Sequence, residues 1–236
     1  MNIRISSLEE RETEYMQKLS YCSVVELPQD EKTLLDLFTS NLRSNLKRVK
    51  NKAKREDVKI ERTISEKDLH FFYHNIMAPQ YVKEHRMIFQ PFSLFRALIQ
   101  DLKIADLYIA KVKGVISGGA IIINDGIVRH YNWGSTIKQS ALPIGLLLIY
   151  ESMRESIKKG FSYYDLGSTP LSHNGLLAFK RRFGSKDYSV YEYSTLRKSV
   201  PTDLHSDRKF QRKIFSLINP RIATCIMPFL VPWLIK

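Results

Sequence analysis

The side chains best equipped for chemistry crowd into one stretch, GFSYYDLGSTPLSHNGLLAFKRRFG, from Gly160 to Gly184. Asp165 can relay a proton or bond the amides of a tight turn, and residue type alone leaves both roles open. His173 brings an imidazole, the commonest proton-transfer group in active sites. Lys180, with Arg181 or Arg182, supplies the cations that hold a phosphate or polarise a carbonyl. Ser168 adds a hydroxyl. Upstream, Trp133 and Ser135 fall at the carboxyl end of another strand pattern, and Tyr131 and Trp133 offer faces on which a sugar or base can stack, or simply core rings. Transfer of an acyl group to an amine needs what this set offers: a route for the ammonium proton, polarisation of the acyl carbonyl, and charge-matched binding. The sequence has no nucleophile elbow, no paired metal-ligand spacing and no phosphate-binding Walker loop, so hydrolase, metal-dependent and nucleotide triphosphatase readings lack support. No metal is expected.

Positioning such a set takes a strand, a breaking loop and a helix. Phe161, Tyr163, Tyr164 and Asp165-Leu166 read as a strand, and Gly167-Ser168-Thr169-Pro170 reads as its end. A helix is expected from Asn174, with Leu176, Leu177, Phe179 and Phe183 on one buried face and Lys180, Arg181 and Arg182 off it. The three together predict a crevice beyond the carboxyl end of the strand, where ligands of open α/β sheets sit.

YDLGSTP followed by GLLAFKRRFG resembles the C-terminal signature of the FemAB family and its acetyltransferase-like relatives in the GNAT superfamily. The signature falls on Asp165, Gly167, Gly175, Leu176, Phe179, Lys180, Phe183 and Gly184. The resemblance covers residues 20–197. It implies an α/β (α+β) fold: a single GNAT-like domain with a mixed, mostly antiparallel central sheet flanked by helices. It implies N-acyl transfer, moving an aminoacyl or acetyl group to an amine of a cell-envelope precursor, peptidoglycan or glycan. Asp165, His173 and Lys180 would be catalytic, and Trp133, Ser135, Ser168, Lys180, Arg181 and Arg182 would contact substrate. No cofactor would be tightly bound; the acyl donor would be acetyl-CoA or aminoacyl-tRNA. In the superfamily a glycine-rich turn opens a helix whose N–H groups hold the pyrophosphate of coenzyme A. The corresponding KQSALPIG offers Ser140 and Gly145 for that role, while Pro143 removes one donor. FemAB-type enzymes, which draw on aminoacyl-tRNA, share such a loss. They also usually carry two such domains in tandem, so a dimer or a partner chain supplying a second domain is implied. Two other readings stay open: an acetyl-CoA-dependent acetyltransferase acting on an amino sugar or polyamine, and a non-catalytic module that binds RNA or membrane.

The chain of 236 residues is 44% hydrophobic and 26% charged, enough for one domain with extensions. Its formal net charge of +13 implies anionic company: nucleic acid, an anionic membrane or phosphate-bearing substrates. Much of that charge lies in one helical pattern. Leu35, Phe38, Leu42, Leu46, Val49 and Ala53 form its apolar stripe, and Arg43, Lys47, Arg48, Lys50, Lys52, Lys54 and Arg55 cover the other faces with no acidic residue among them. Arg43, Lys47, Arg48, Lys50 and Lys54 are thus candidates for holding RNA, tRNA in particular, or an anionic surface. Cys22 and Cys225 are too few and too far apart for a disulfide scaffold, and the charged start is no signal peptide. A cytoplasmic setting is expected, with peripheral contact at the inner membrane face.

Three segments are expected: 1–57, a strand from Tyr21 and the basic helix; 58–197, the acyltransferase-like domain; 198–236, an amphipathic helix and apolar tail. Within the middle segment, Val58–Ile64 reads as a strand and Ser65 with Asp68 as a capping box. Pro91 suits the first turn of another helix. Three strands follow, turning at Lys113-Gly114 and Asp125-Gly126, with Gly118-Gly119 suggesting a bulge or a ligand approach. A helix beyond Pro143 buries Leu146, Leu147, Tyr150, Met153 and Ile157, and Tyr188–Leu196 reads as the last strand. The ending ATCIMPFLVPWLIK is too short to span a bilayer, which takes ~20 residues. Residues 207–236 are read either as an interfacial membrane contact or as a tail folded back on the domain.

Overall fold

The computed structural model describes residues 4–7, 16–83, 90–137 and 142–194. Strands β4 (Ala105–Val112), β5 (Val115–Asp125) and β6 (Val128–Thr136) run as a meander. The turns fall at the predicted dipeptides, with Lys113 and Gly114 at φ 49° and 79° and Gly126 at 53°. Strand β3 (Val58–Thr63) pairs antiparallel with β4 and closes one edge. Beyond β6 come β7 (Tyr163–Pro170), β2 (Met16–Glu26), β8 (Lys186–Ser194) and β1 (Arg4–Ser7). Among the described residues, eight strands stand in the order β1-β8-β2-β7-β6-β5-β4-β3, and β6–β7 is the one parallel pair. The expected mixed, mostly antiparallel sheet is present. A parallel pair requires a crossover, and helix α5 (Ile144–Lys158) supplies it.

Apolar periodicity decides which helix covers which face. In α1 (Ser40–Arg55), Leu42, Leu46, Val49 and Ala53 are buried, as are Leu146, Leu147, Tyr150, Met153 and Ile157 of α5. Both stripes pack in one core with Val25, Tyr164 and Phe183. The opposite face of the meander is covered by α2 (Glu66–Phe72), α3 (Ala78–Lys83) and α4 (Phe92–Arg96). Ser65 caps α2 as predicted, its Oγ accepting from Asp68 N–H at 3.2 Å. Two π-helical segments, Tyr73–Met77 and Ala97–Asp101, interrupt this layer, and no sequence signal announced them. Helix α6 (Asn174–Arg181) packs beside β2 and β7.

Gly119 answers the question raised by its pair of glycines. A Cβ there would meet Tyr108 O at 2.8 Å and the Phe72 ring at 3.0 Å, so packing of α2 on the sheet requires the glycine. The bulge is present too, since Ala110 pairs with Gly118 and Lys111 with Ile116.

Several boundaries differ from expectation. The basic helix does not run from Asp30: residues Glu31–Leu37 form a 3-10 segment, and α1 starts afresh with Thr39 as its cap. Strand β2 begins at Met16, before the expected Tyr21, and β8 begins at Lys186. Strand β7 does not stop at Gly167 but continues to Pro170, for a reason that belongs to the site below. The C-terminal helix, the apolar tail and membrane contact through 207–236 lie outside the described residues. Among those described, no helix is long and apolar enough to cross a membrane.

Candidate active site

The parallel strands β6 and β7 pair over three rungs only: Val128 with Tyr163, Arg129 with Tyr164, His130 with Asp165. Both strands continue well past the last rung, so a gap opens between them above His130 and Asp165. Its floor is pinned from the α1–α5 side. Arg129, wholly buried, is ion-paired with Asp106 and donates to Tyr108 Oη at 3.1 Å and Ser156 Oγ at 3.3 Å. Its guanidinium stacks over the Tyr108 and Phe161 rings. Burial alone would raise the Asp106 carboxyl, but Lys159, Arg129 and Arg62 outweigh it and hold it below the ordinary carboxylate range.

Two bulges decide which side chains face the gap. In β6, Trp133 pairs with Ile121 and Tyr131 with Ile122, leaving Asn132 extra. The slip turns Trp133 and Ser135 onto the α2–α4 face, the face that His130 already occupies. In β7, Ser168 pairs with Cys22 and Asp165 with Val24, so β7 spends three residues where β2 spends two. Gly167 sits in this bulge at φ 81°. Asp165 Oδ1 accepts from Gly167 N–H at 2.6 Å and locks the kink. The breakers therefore bend the strand instead of ending it.

On that one face Asp165 organises a polar cluster. His130 Nδ1 donates to Asp165 Oδ2 at 2.9 Å, and the Cys22 thiol donates to Oδ1 at 3.2 Å. With Nδ1 bearing the proton, His130 Nε2 keeps a lone pair. It lies 3.9 Å from Asp125, whose side chain is 81% exposed. Burial and the Asp165 carboxylate push the Cys22 thiol up to about 12, so it is no thiolate nucleophile at neutral pH.

Lys180 approaches Gly167 and Ser168 from α6. It is 6% exposed, and its Nζ donates to Gly167 O at 2.7 Å and Ser168 O at 3.1 Å. Burial lowers its pKa, opposed by Asp165, Cys22 and Asp187. An ammonium has three donors, and these two carbonyls engage two of them. A Cβ on Gly167 would lie 4.0 Å from Lys180 Nζ and 3.8 Å from Tyr131 O, which puts the ammonium beside the gap.

The sequence-predicted residues are distributed as follows. Trp133, Ser135, Asp165 and Ser168 share one face around the gap. Trp133 is half-buried against Phe95, with ring centroids 5.0 Å apart, and the buried Ser135 Oγ has no hydrogen-bond partner among the described residues. The buried Thr169 Oγ1, on the other face, has none either. His173 is exposed at the N-cap position of α6, where its carbonyl accepts from Leu176 and Leu177; Asn174, expected near the cap, is the first helical residue. Arg181 pairs with Asp187 at 2.5 Å, and Arg182 lies over the Phe179 ring. Gly145 lies in the first turn of α5, where a Cβ would meet nothing within 4 Å, so an approaching phosphate would find room. Ser140 lies outside the described residues. Arg43, Lys47, Arg48, Lys50 and Lys54 are exposed on α1, and the Lys50 ammonium reaches over the Tyr150 ring at 4.7 Å. Sequence reasoning missed His130. Nothing in its spacing marks it; only a register that sets it across from Asp165 does. No group of three or more metal-binding side chains occurs among the described residues.

A sheet whose one parallel pair splays, with a crossover helix behind it and a polar cluster at the fork, is the framework of a GNAT-type acyltransferase. The chain belongs to the acetyltransferase (GNAT) domain family, whose model matches residues 40–181. Among solved structures it is similar to FemX, with TM-score 0.58 and 15% identity over 73% of this chain and 61% of that one. It is similar to L-PGS from Bacillus licheniformis, with TM-score 0.58 and 17% identity over 86% and 66%. It is also similar to a domain assigned as the C-terminal part of a lysylphosphatidylglycerol synthetase from Agrobacterium fabrum, with TM-score 0.57 and 16% identity over 77% and 61%. At such identities the likeness is one of fold. The chain spans 61–66% of the length of these three proteins. Comparison with curated protein sequences gave no significant match.

Proposed function

We propose that this chain transfers an aminoacyl or acetyl group from acetyl-CoA or an aminoacyl-tRNA to a primary amine of a cell-envelope precursor. The observation that carries the reading is the Asp165–His130 pair at the last parallel rung, where the strands part. An amine arrives protonated and must lose a proton before it can attack. His130 Nε2 takes that proton, and Asp165 holds the resulting imidazolium. Lys180 donates its remaining N–H to the acyl oxygen as negative charge develops there. The new C–N bond replaces the thioester C–S bond or the ester C–O bond, and the leaving group departs with a proton. Trp133, Ser135 and Ser168 line the acceptor side, and Gly145 lies on the donor side. His173, Arg181 and Arg182 remain candidates for contacts at the rim.

The family match favours acetyl-CoA as donor, and with it an amino sugar or polyamine as a second class of acceptor. The envelope acceptor draws on the fold likeness to FemX and to proteins named for lysylphosphatidylglycerol synthesis. A dimer or a partner chain completing the acceptor groove remains part of this proposal.

The test supplies the purified chain with radiolabelled acetyl-CoA or alanyl-tRNA and a panel of amines: a lysine-containing peptidoglycan precursor, glucosamine and spermidine. Label in one amide product identifies donor and acceptor together. Consumption of neither donor with any acceptor would remove the catalytic reading and leave a binding module.

A further inference from the structure

The core of this chain uses only one side of α1. Leu42, Leu46, Val49 and Ala53, each at most 8% exposed, fix that side in the core. The outer side carries Arg43, Lys47, Arg48, Lys52, Lys54 and Arg55, and no acidic residue occurs between Arg43 and Arg55. A groove runs along this side, lined by Ser44, Lys47, Arg48, Asn51, Lys52 and Arg55, with Glu56 at its end. Glu56 offsets one cation, standing 3.5 Å from Lys52, and Arg48 donates to Asn45 at 3.0 Å. The row still holds a clear cationic excess along a rigid rod about 24 Å long.

We propose that the outer groove of α1 is a docking surface for structured RNA, gripped through its phosphate backbone. Charge complementarity calls for a polyanion, and the chemistry of the groove selects among polyanions. A helix that docks on a bilayer needs an apolar face to bury in the headgroup region. The apolar face of α1 is occupied by the protein's own core, and its outer positions carry no aliphatic or aromatic residue. A phosphodiester backbone is a ridge that enters a groove, and its oxygens accept from serine and asparagine as well as from lysine and arginine. Ser44 and Asn51, set between the cations, provide those donors. Lys50 is excluded, since it lies over Tyr150 and donates to the Tyr150 hydroxyl at 3.5 Å. The inference is independent of the acyl-transfer reading, because binding at α1 is measured without any turnover.

The test uses the full chain, fluorescently labelled bulk tRNA without an attached amino acid, and vesicles of phosphatidylglycerol and phosphatidylcholine. Wild type should bind the tRNA with an affinity that falls steeply and log-linearly with salt. The Lys47→Glu/Arg48→Glu/Arg55→Glu variant should bind at least about tenfold more weakly, with a slope shallower by about one for each phosphate that is no longer neutralised. A charge-matched control, Lys32→Glu/Lys67→Glu/Lys103→Glu, changes exposed lysines elsewhere and should bind like wild type. Circular dichroism establishes that each variant is folded, and Lys47→Ala/Arg48→Ala/Arg55→Ala replaces the reversal variant if that one is not. Equal weakening by the control would reduce the effect to net charge and overturn the proposal. Absence of tRNA binding would also overturn it, as would vesicle binding that depends on the α1 cations while tRNA binding does not.

Discussion

Lys180 serves the packing of the fold and, in the proposed reaction, the chemistry. Its burial and two carbonyl acceptors tie α6 to the bulge of β7, so the lysine is part of the packing as well as the crevice. Replacement by methionine keeps the length of the side chain but strands the Gly167 and Ser168 carbonyls. The variant should lose about 1–3 kcal/mol of stability and also lose transfer activity. The helical spacing placed Lys180 off the buried face, where its loss would affect activity alone; its burial is the reason to expect both effects. Because burial lowers the Lys180 pKa, the unfolded chain holds a proton that the folded chain has released just below the ordinary lysine value. Stability should therefore rise with pH across that window, by a contribution that Lys180→Met abolishes. Urea unfolding of both proteins through that range measures it. Asp165→Asn tests the other half of the site. The amide still accepts from Gly167 N–H, but its NH₂ group donates toward His130 Nδ1 and drives the proton onto Nε2, where the base is needed. Turnover should fall by about 10²–10⁴-fold with the fold intact. An unchanged rate would remove the pair from the reaction.

At the scale of elements, the glycines of the signature separate into two kinds. Gly184 follows α6 at φ 78°, and a Cβ there would sit 2.5 Å from Leu37 O. Gly184→Ala should destabilise by more than the about 1–2 kcal/mol of the left-handed conformation alone, because backbone must also move. Gly175 lies exposed in the first turn of α6, and its Cβ would meet nothing within 4 Å. Gly175→Ala should raise stability by about 0.5–1 kcal/mol through helix propensity. If substrate approaches this turn, the same change should raise KM. Thermal melts and steady-state kinetics on the pair separate a glycine kept for folding from one kept for a ligand. The contrast also marks what a sequence can tell. Apolar periodicity identified the buried stripe of α1 and part of that of α5, which also buries Ile144, Leu148, Ile149, Ser152 and Ser156, and turn chemistry identified both hairpins and the Ser65 cap, because each signal is local. The course of β7 was misread because Gly167-Ser168-Thr169-Pro170 has the composition of a terminator. What overrides composition there is a side chain two residues back, together with the pairing of β2 across the bulge. His130 was illegible for a related reason: its partner is 35 positions away, and only the parallel register brings the two together.

Across the whole molecule, the sheet is clamped at one end of its parallel pair and open at the other. Arg129, Asp106, Tyr108, Ser156 and Lys159 join β4, β6 and α5 below the fork, and three cations depend on one carboxylate there. Asp106→Asn should cost about 3–5 kcal/mol, since it leaves the wholly buried guanidinium unpaired. The Asp106 carboxyl is held below its ordinary range, so its contribution is complete above the unfolded value and disappears as pH falls through the folded one. The gap between wild type and Asp106→Asn in urea midpoint should therefore shrink on acidification. The open end predicts a different behaviour. Past His130, strand β6 keeps β5 on one side but has no ladder to β7 on the other, so its amides directed at the gap have no strand to bond. Those amides should exchange with deuterium much faster than those paired with β5. A donor whose acyl arm lies between the strands should slow them selectively, leaving the clamp below unchanged. Exchange measured with and without acetyl-CoA, and with and without aminoacyl-tRNA, thus reads the donor directly from the backbone. Protection by neither would mean that the fork does not receive the acyl group, even if the fold around it is that of an acyltransferase.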